Sequence, residues 1–275
     1  MRLQFSAFLL AFSFHLVGQS YNLPKELNEI SGIQFIDDTT LIALNDGGNE
    51  NALFLLDNSG KIKKKVIVTN ATNVDWEDIT FNGNFVFIAD IGNNLNNRKN
   101  LRIYRIGIEE IMSKESVTAA FMDIQYGEQQ SFPPDKKQLN FDAECLVYAM
   151  GHLWIFTKNK TEPFDGISRV YKFKFQEGKS NKLSEFTTVN FGKRGWTLDA
   201  ITAGDFAYDY FYLSTYNRVI KLELDGTKFK IVKEITYPNY NQKEALTVIK
   251  DDEIWVANEK HKILGKAQLR KVLLK

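Results

Sequence analysis

From Asn28 onward the chain alternates short apolar runs with Asn/Asp/Gly/Lys turns, and apolar residues almost never recur at helical spacing. The exception is a turn or so over residues 108–114. One unit repeats within that pattern: a polar residue, a small residue and an aliphatic one, then a turn and a second apolar strand. Its openings are Ser31-Gly32-Ile33, Glu77-Asp78-Ile79, Glu144-Cys145-Leu146, Asp199-Ala200-Ile201 and Glu244-Ala245-Leu246, at intervals that suit about four strands per unit. The second strands, over 41–44, 85–88, 153–156, 211–214 and 254–257, are apolar on both faces, as a strand covered front and back must be. Third strands at 102–106, 169–173 and 218–222 alternate. Fourth strands at 61–68, 117–126 and 229–237 are polar, as an outer edge facing water requires.

Radial arrangement of five such units predicts an all-β fold, a β-propeller of five four-stranded blades. A β-sandwich would also show short alternating strands, but it has no reason to repeat one opening five times. Residues 127–140, with Pro133-Pro134, read either as a decorated loop or as the remnant of a sixth unit. Residues 21–23 are expected to close the ring as an outer strand on the last blade, since otherwise the first and last blades would part at an exposed edge.

Composition narrows the class. The 275 residues carry 35 Lys+Arg against 34 Asp+Glu, with 44% hydrophobic residues, which excludes disorder, collagen and coiled coil. A net charge of +1 without a basic arm argues against nucleic acid as a partner. The single Cys145 can form neither an internal disulfide nor a thiolate zinc site, and reads as a small buried residue. Arg2, the apolar run 5–17 and Gly18 predict a signal peptide over 1–18, followed by one domain over 19–275 in a secreted or periplasmic protein. The run is too short for a membrane span, and a monomer is expected.

The openings also carry the candidate chemistry. If all five point into one channel, Ser31, Glu77, Glu144, Asp199 and Glu244 meet there, and four carboxylates cannot all stay ionised at close range without a cation or proton uptake. Ca2+, which takes six to eight oxygens, would resolve the conflict. The alternative is that each carboxylate accepts backbone N–H groups and stitches neighbouring blades. Loops after the second strands share a face with these openings. They offer Asp46, Asp90, Arg98, Lys158, Tyr216, Glu259 and His261, with Trp76 beside an opening, as candidates to bind a ligand or partner protein; ordinary solvated loops are the alternative. Arg102, Arg169 and Arg218, at repeated positions, are further candidates for an anionic ligand.

The segments Glu29-Ile30-Ser31-Gly32-Ile33 and Asp75-Trp76-Glu77-Asp78-Ile79, with Asn45-Asp46-Gly47-Gly48-Asn49 and Asp90-Ile91-Gly92-Asn93-Asn94 after the second strands, resemble exported bacterial propellers of the SdiA-regulated and esterase-like phytase group. The acidic openings are similar to five-bladed calcium-dependent apyrases. That resemblance implies a central calcium at Ser31, Glu77, Glu144, Asp199 and Glu244, although Asp199 stands where a serine would be expected.

His152 and His261 fall on opposite loop faces, so a two-histidine centre is excluded, and Asp46-Gly47-Gly48-Asn49 lacks the lysine and following helix of a phosphate-cradling loop. Two functions remain: a binding propeller with Ca2+ in its channel, or a calcium-dependent hydrolase of phosphate or carboxylic esters with Glu77 or Glu144 as base.

Overall fold

The computed structural model describes residues 18–274, so the expected signal peptide lies almost entirely outside the described residues. Strand β1 (Ser20–Asn22) comes first but belongs to the last blade. Blade one is β2 (Ile30–Phe35), β3 (Thr40–Asn45), β4 (Ala52–Asp57) and β5 (Ile62–Val68). Blade two is β6 (Trp76–Phe81), β7 (Phe85–Asp90), β8 (Leu101–Gly107) and, after helix α1 (Ile108–Ser113) and the short β9 (Ser116–Val117), β10 (Ala120–Tyr126). Blade three is β11 (Asp142–Ala149), β12 (His152–Lys158), β13 (Ile167–Phe173) and, beyond β14 (Ser180–Leu183), β15 (Glu185–Asn190). The one-turn helix α2 (Trp196–Asp199) leads into blade four: β16 (Ala203–Ala207), β17 (Tyr210–Ser214), β18 (Arg218–Asp225) and β19 (Lys228–Thr236). Blade five is β20 (Lys243–Lys250), β21 (Glu253–Asn258) and β22 (Gln268–Leu273), completed by β1 pairing antiparallel to β22 with Tyr21 opposite Leu269.

This is a five-bladed β-propeller: the inner strands β2, β6, β11, β16 and β20 contact one another in a closed cycle. Residues 127–140 form a loop rather than a sixth blade. The short β9 and β14 pair parallel to β5 and β10, so each is borrowed by the outer edge of the preceding blade. Among the described residues no helix is long and apolar enough to cross a membrane.

The doubly apolar second strands follow from the geometry. Each face of a blade packs on a different neighbour, so successive residues enter two separate cores. Leu41 and Ala43 lie between blades five and one, while Ile42 and Leu44 lie between one and two. Leu153 and Ile155 lie between blades two and three, with Trp154 and Phe156 between three and four.

The axial edge of each inner strand has no strand partner, so its backbone donors need other acceptors. Side chains of the preceding blade supply them. Asp78 accepts from Leu146 N at 2.8 Å and Thr80 Oγ1 from Tyr148 N at 3.0 Å. Asp205 accepts from Val248 N at 2.8 Å, and Thr247 Oγ1 accepts from Phe35 N at 3.2 Å. Asp205 also takes bonds from Thr247 Oγ1 and Gln34 Nε2 and from its neighbour Phe206 N. Replacing Asp205 with Ala orphans these donors, and Asp205→Ala is expected to cost about 2–4 kcal/mol in equilibrium denaturation. A loss under about 1 kcal/mol would contradict this account of the blade contacts.

Candidate functional site

Inner strands begin at one face of the ring, and in four of them the register with the second strand slips by a residue, at Ile30/Gly32, Trp76/Asp78, Ala143/Cys145 and Lys243/Ala245. Each bulge falls on a polar repeat residue or its immediate neighbour, and a bulge re-aims the side chain it carries. Blade two shows the effect. Trp76 and Ile79, three apart, enter the same core, and Glu77 is the inserted residue between them. Strict strand alternation, which would put Glu77 on one face with Ile79 and Phe81, is therefore broken at its first step.

Around the axis the repeat positions divide. Blade four supplies Thr202, not Asp199, because Ala203 pairs with Ser214 as Gly32 does with Leu44. Ser31 Oγ donates to Trp76 O at 2.9 Å and Thr202 Oγ1 to Lys243 O at 2.6 Å, so the two hydroxyls stitch blades one to two and four to five. Asp199 is placed differently: it ends α2, and its carboxylate is taken by Arg194 Nη2 at 2.6 Å and Arg218 Nη1 at 2.5 Å. Of the expected five-residue calcium ring, Glu77, Glu144 and Glu244 remain free of such structural bonds to arginine or backbone.

Glu144 and Glu244 share one cation. Lys158 Nζ contacts Glu144 Oε1 and donates to Tyr216 Oη at 3.0 Å, and Tyr216 Oη donates to Glu244 Oε1 at 2.8 Å. All four side chains are buried; the Oε2 atoms of Glu144 and Glu244 meet no amide, hydroxyl or ammonium donor, and the two carboxyls are near enough to share a proton. Burial alone would lower the Lys158 ammonium, but Glu144 and Glu244 outweigh it and hold it charged. One ammonium balances one carboxylate. Burial pushes both glutamic acids up, against the pull of Lys158, so the second carboxyl is kept protonated or is balanced from outside.

The other half of the mouth is acidic. Oxygens of Asp46, Asp75 and Glu77 lie within 4.8 Å of one another. Burial raises Asp46 to about 7, Asp75 to about 6 and the adjoining Glu259 to about 8, with neighbouring carboxylates adding to each. Two glycines make the room: a Cβ on Gly92 would collide with the carboxylates of Glu77 and Asp75, and one on Gly47 would sit 2.6 Å from Asp75 Oδ1.

Other sequence candidates are placed differently. Trp76 is fully buried against Tyr104 and offers no surface to a ligand. Arg98 donates to Asp90 at 2.7 Å and to Gly92 O at 2.6 Å, fixing the loop over Asp75, while Asp90 also borders a cleft of about 230 Å³ with Asn70, Thr72 and Arg102. His261 Nδ1 accepts from Ile263 N and Leu264 N and braces its own exposed loop. Arg102 pairs with Asp123, Arg169 with Glu185, and Arg218 with Glu234 and Asp199, so these arginines tie third strands to fourth strands and, for Arg218, to α2. Asp75 was not singled out from the sequence. Its one signal was position, next to Trp76-Glu77 and opposite the Asp46-Gly47 turn.

No family model and no curated protein matches the sequence. Solved structures match in fold. Myxococcus xanthus glutaminyl cyclase has a TM-score of 0.53 at 11% identity, covering 94% of this chain and 97% of its own. A luciferin-regenerating enzyme (TM-score 0.51, 10% identity, 93% and 95% covered) and a glucose dehydrogenase (0.51, 9%, 92% and 99%) are similar in the same degree. These neighbours are β-propeller enzymes. At such identities the likeness carries the fold alone, and not the narrower resemblance to the SdiA-regulated, esterase-like phytase or apyrase propellers.

Asp46, Asp75, Asp205 and Glu259 titrate higher in the folded state than their ordinary values of 3.8 and 4.5, so the folded state holds the extra protons. Their contribution is full below about pH 4 and is lost as pH rises to about 8. Asp57, Asp199 and Asp251 are held low by lysine, arginine and hydroxyl partners, and their contribution is lost only below about pH 4. In chelated buffer the melting temperature should therefore peak near about pH 5 and fall toward pH 8. A profile that climbs through that interval would contradict the charge balance of the mouth.

Proposed function

We propose that this chain is an exported binding propeller whose recognition site is the axial mouth, with Lys158, Tyr216, Glu144 and Glu244 in contact with the ligand. One observation carries the reading: two carboxylate oxygens, Oε2 of Glu144 and of Glu244, are buried at the mouth and meet no amide, hydroxyl or ammonium donor. Each unmet acceptor of this kind costs about 1–3 kcal/mol, and a ligand that brings donors recovers it. The complementary ligand is thus small and bears hydroxyl or ammonium groups. Trp196, which opens α2 beside Lys160, and Tyr240, on a loop beside Tyr216, are both exposed and provide aromatic surface at its rim. Export rests on Arg2 and the apolar run 5–17.

A second reading, hydrolysis of phosphate or carboxylic esters, is favoured by a separate fact. Asp46 near 7 and Glu259 near 8 are carboxyl groups poised to exchange protons at neutral pH beside Glu77 and Glu144.

Thermal-shift and calorimetric screening of polyols, sugars, amines and amino acids tests the first reading. A hit should bind at least about tenfold more weakly to Glu244→Gln, because the Gln side-chain amide replaces one acceptor with a donor. Affinity that survives both Glu144→Gln and Glu244→Gln would move the site elsewhere. Turnover of generic phosphate or carboxylic esters, lost in Glu144→Gln, would decide for the hydrolase.

A further inference from the structure

We propose that Asp46, Asp75 and Glu77 form a centre for one hard divalent cation, Ca2+, off the propeller axis between blades one and two. This deepens the reading of the mouth as a binding site and shares its premise, but it uses different side chains from the Lys158 array. The donor set is all oxygen, without His or Cys, which selects a hard ion. One oxygen from each residue falls within 4.8 Å of the others. Oxygens about 2.4 Å from a common Ca2+ lie at most about 4.8 Å apart, so the three fall within the outer limit that one such ion allows.

A second observation points to a ligand independently of the clustering. Glu77 is 6% exposed, and among the described residues its carboxylate accepts no hydrogen bond and makes no ion pair. The nearby cation does not serve it. Arg98 spends its guanidinium on Asp90 and the Gly92 carbonyl and reaches only Asp75, at 3.9 Å. Gly47 and Gly92 leave out the side chains that would fill this space. The position also differs from an axial ring, because Ser31 and Thr202 are committed to backbone and Glu144 and Glu244 to Lys158 and Tyr216.

The test uses CaCl2 alone on the whole purified protein after EDTA treatment, at pH 8, read by calorimetry and by melting temperature. One equivalent should bind and raise the melting temperature, reversibly with EDTA. Glu77→Gln should weaken Ca2+ binding at least about tenfold while leaving the chelated melting temperature equal or higher, since it removes a like charge at constant shape. The exposed Glu223→Gln should change neither. If Glu77→Gln proves unstable without metal, Asp46→Asn, on a partly exposed loop, gives the same reading. No heat and no shift up to millimolar Ca2+ would overturn the centre, as would full binding in both Glu77→Gln and Asp46→Asn. Tighter binding of Mg2+ or Mn2+ would overturn the choice of ion. Loss of Ca2+ binding together with an intact small-ligand response sensitive to Glu244→Gln would remove the metal and leave the mouth; an intact Ca2+ response with no ligand would do the reverse.

Discussion

The backbone at the axis sets the terms for the rest of this molecule. An inner strand has a paired edge toward its own blade and an open edge toward its neighbours, and five such edges face one another around the axis. Asp78, Thr80, Asp205 and Thr247 close four of those backbone gaps. Because a carboxylate or hydroxyl from one blade is bonded to the main chain of the next, the blades are fixed in rotation as well as in distance. The five apolar cores between blades then pack onto a frame whose register is already defined.

Fixed blades allow the mouth to hold an unbalanced set of charges. Glu77, Glu144 and Glu244 arrive at or beside strand irregularities, and the acids beside them come from loops anchored by backbone contacts such as Asn73 to Asn45 O and Asp46 O. Arginine could have neutralised all of these acids, as it does for Asp199 between Arg194 and Arg218. At the mouth arginine reaches only Asp75, from Arg98 at 3.9 Å, and Lys158 alone stands between Glu144 and Glu244. The contrast within one fold separates a carboxylate kept for architecture from carboxylates left available.

The architecture was legible in the sequence because each blade must bury both faces of its second strand and expose its outer one, and that demand writes itself on 41–44, 86–88 and their counterparts. The site was legible in part. Asp199-Ala200-Ile201 imitated the repeat, while the true opening, Thr202-Ala203-Gly204, was disguised: a Cβ on residue 204 would lie 2.6 Å from Cys145 Sγ, so glycine replaces the usual aliphatic residue. Trp76 looked available beside an acidic opening, yet the bulge at Glu77 turns it into the core. A bulge has no signature in a single sequence, since it changes the count of residues between contacts and not their kind. Asp75 belongs to a loop with no periodicity to betray it. The polar partners Asp78 and Thr80 passed as ordinary strand residues because their acceptors' role depends on a neighbour 68 positions away.

The two ends of the barrel-like ring are built to different standards. On the side away from the mouth, inner and second strands are joined by turns as short as Met150-Gly151 and Tyr208-Asp209, each with both residues at positive φ. Such turns leave no length for a binding loop. They make that side a natural handle: a tether or fused partner attached there would present every copy mouth-outward, and the face proposed for recognition would keep free access to whatever diffuses toward it.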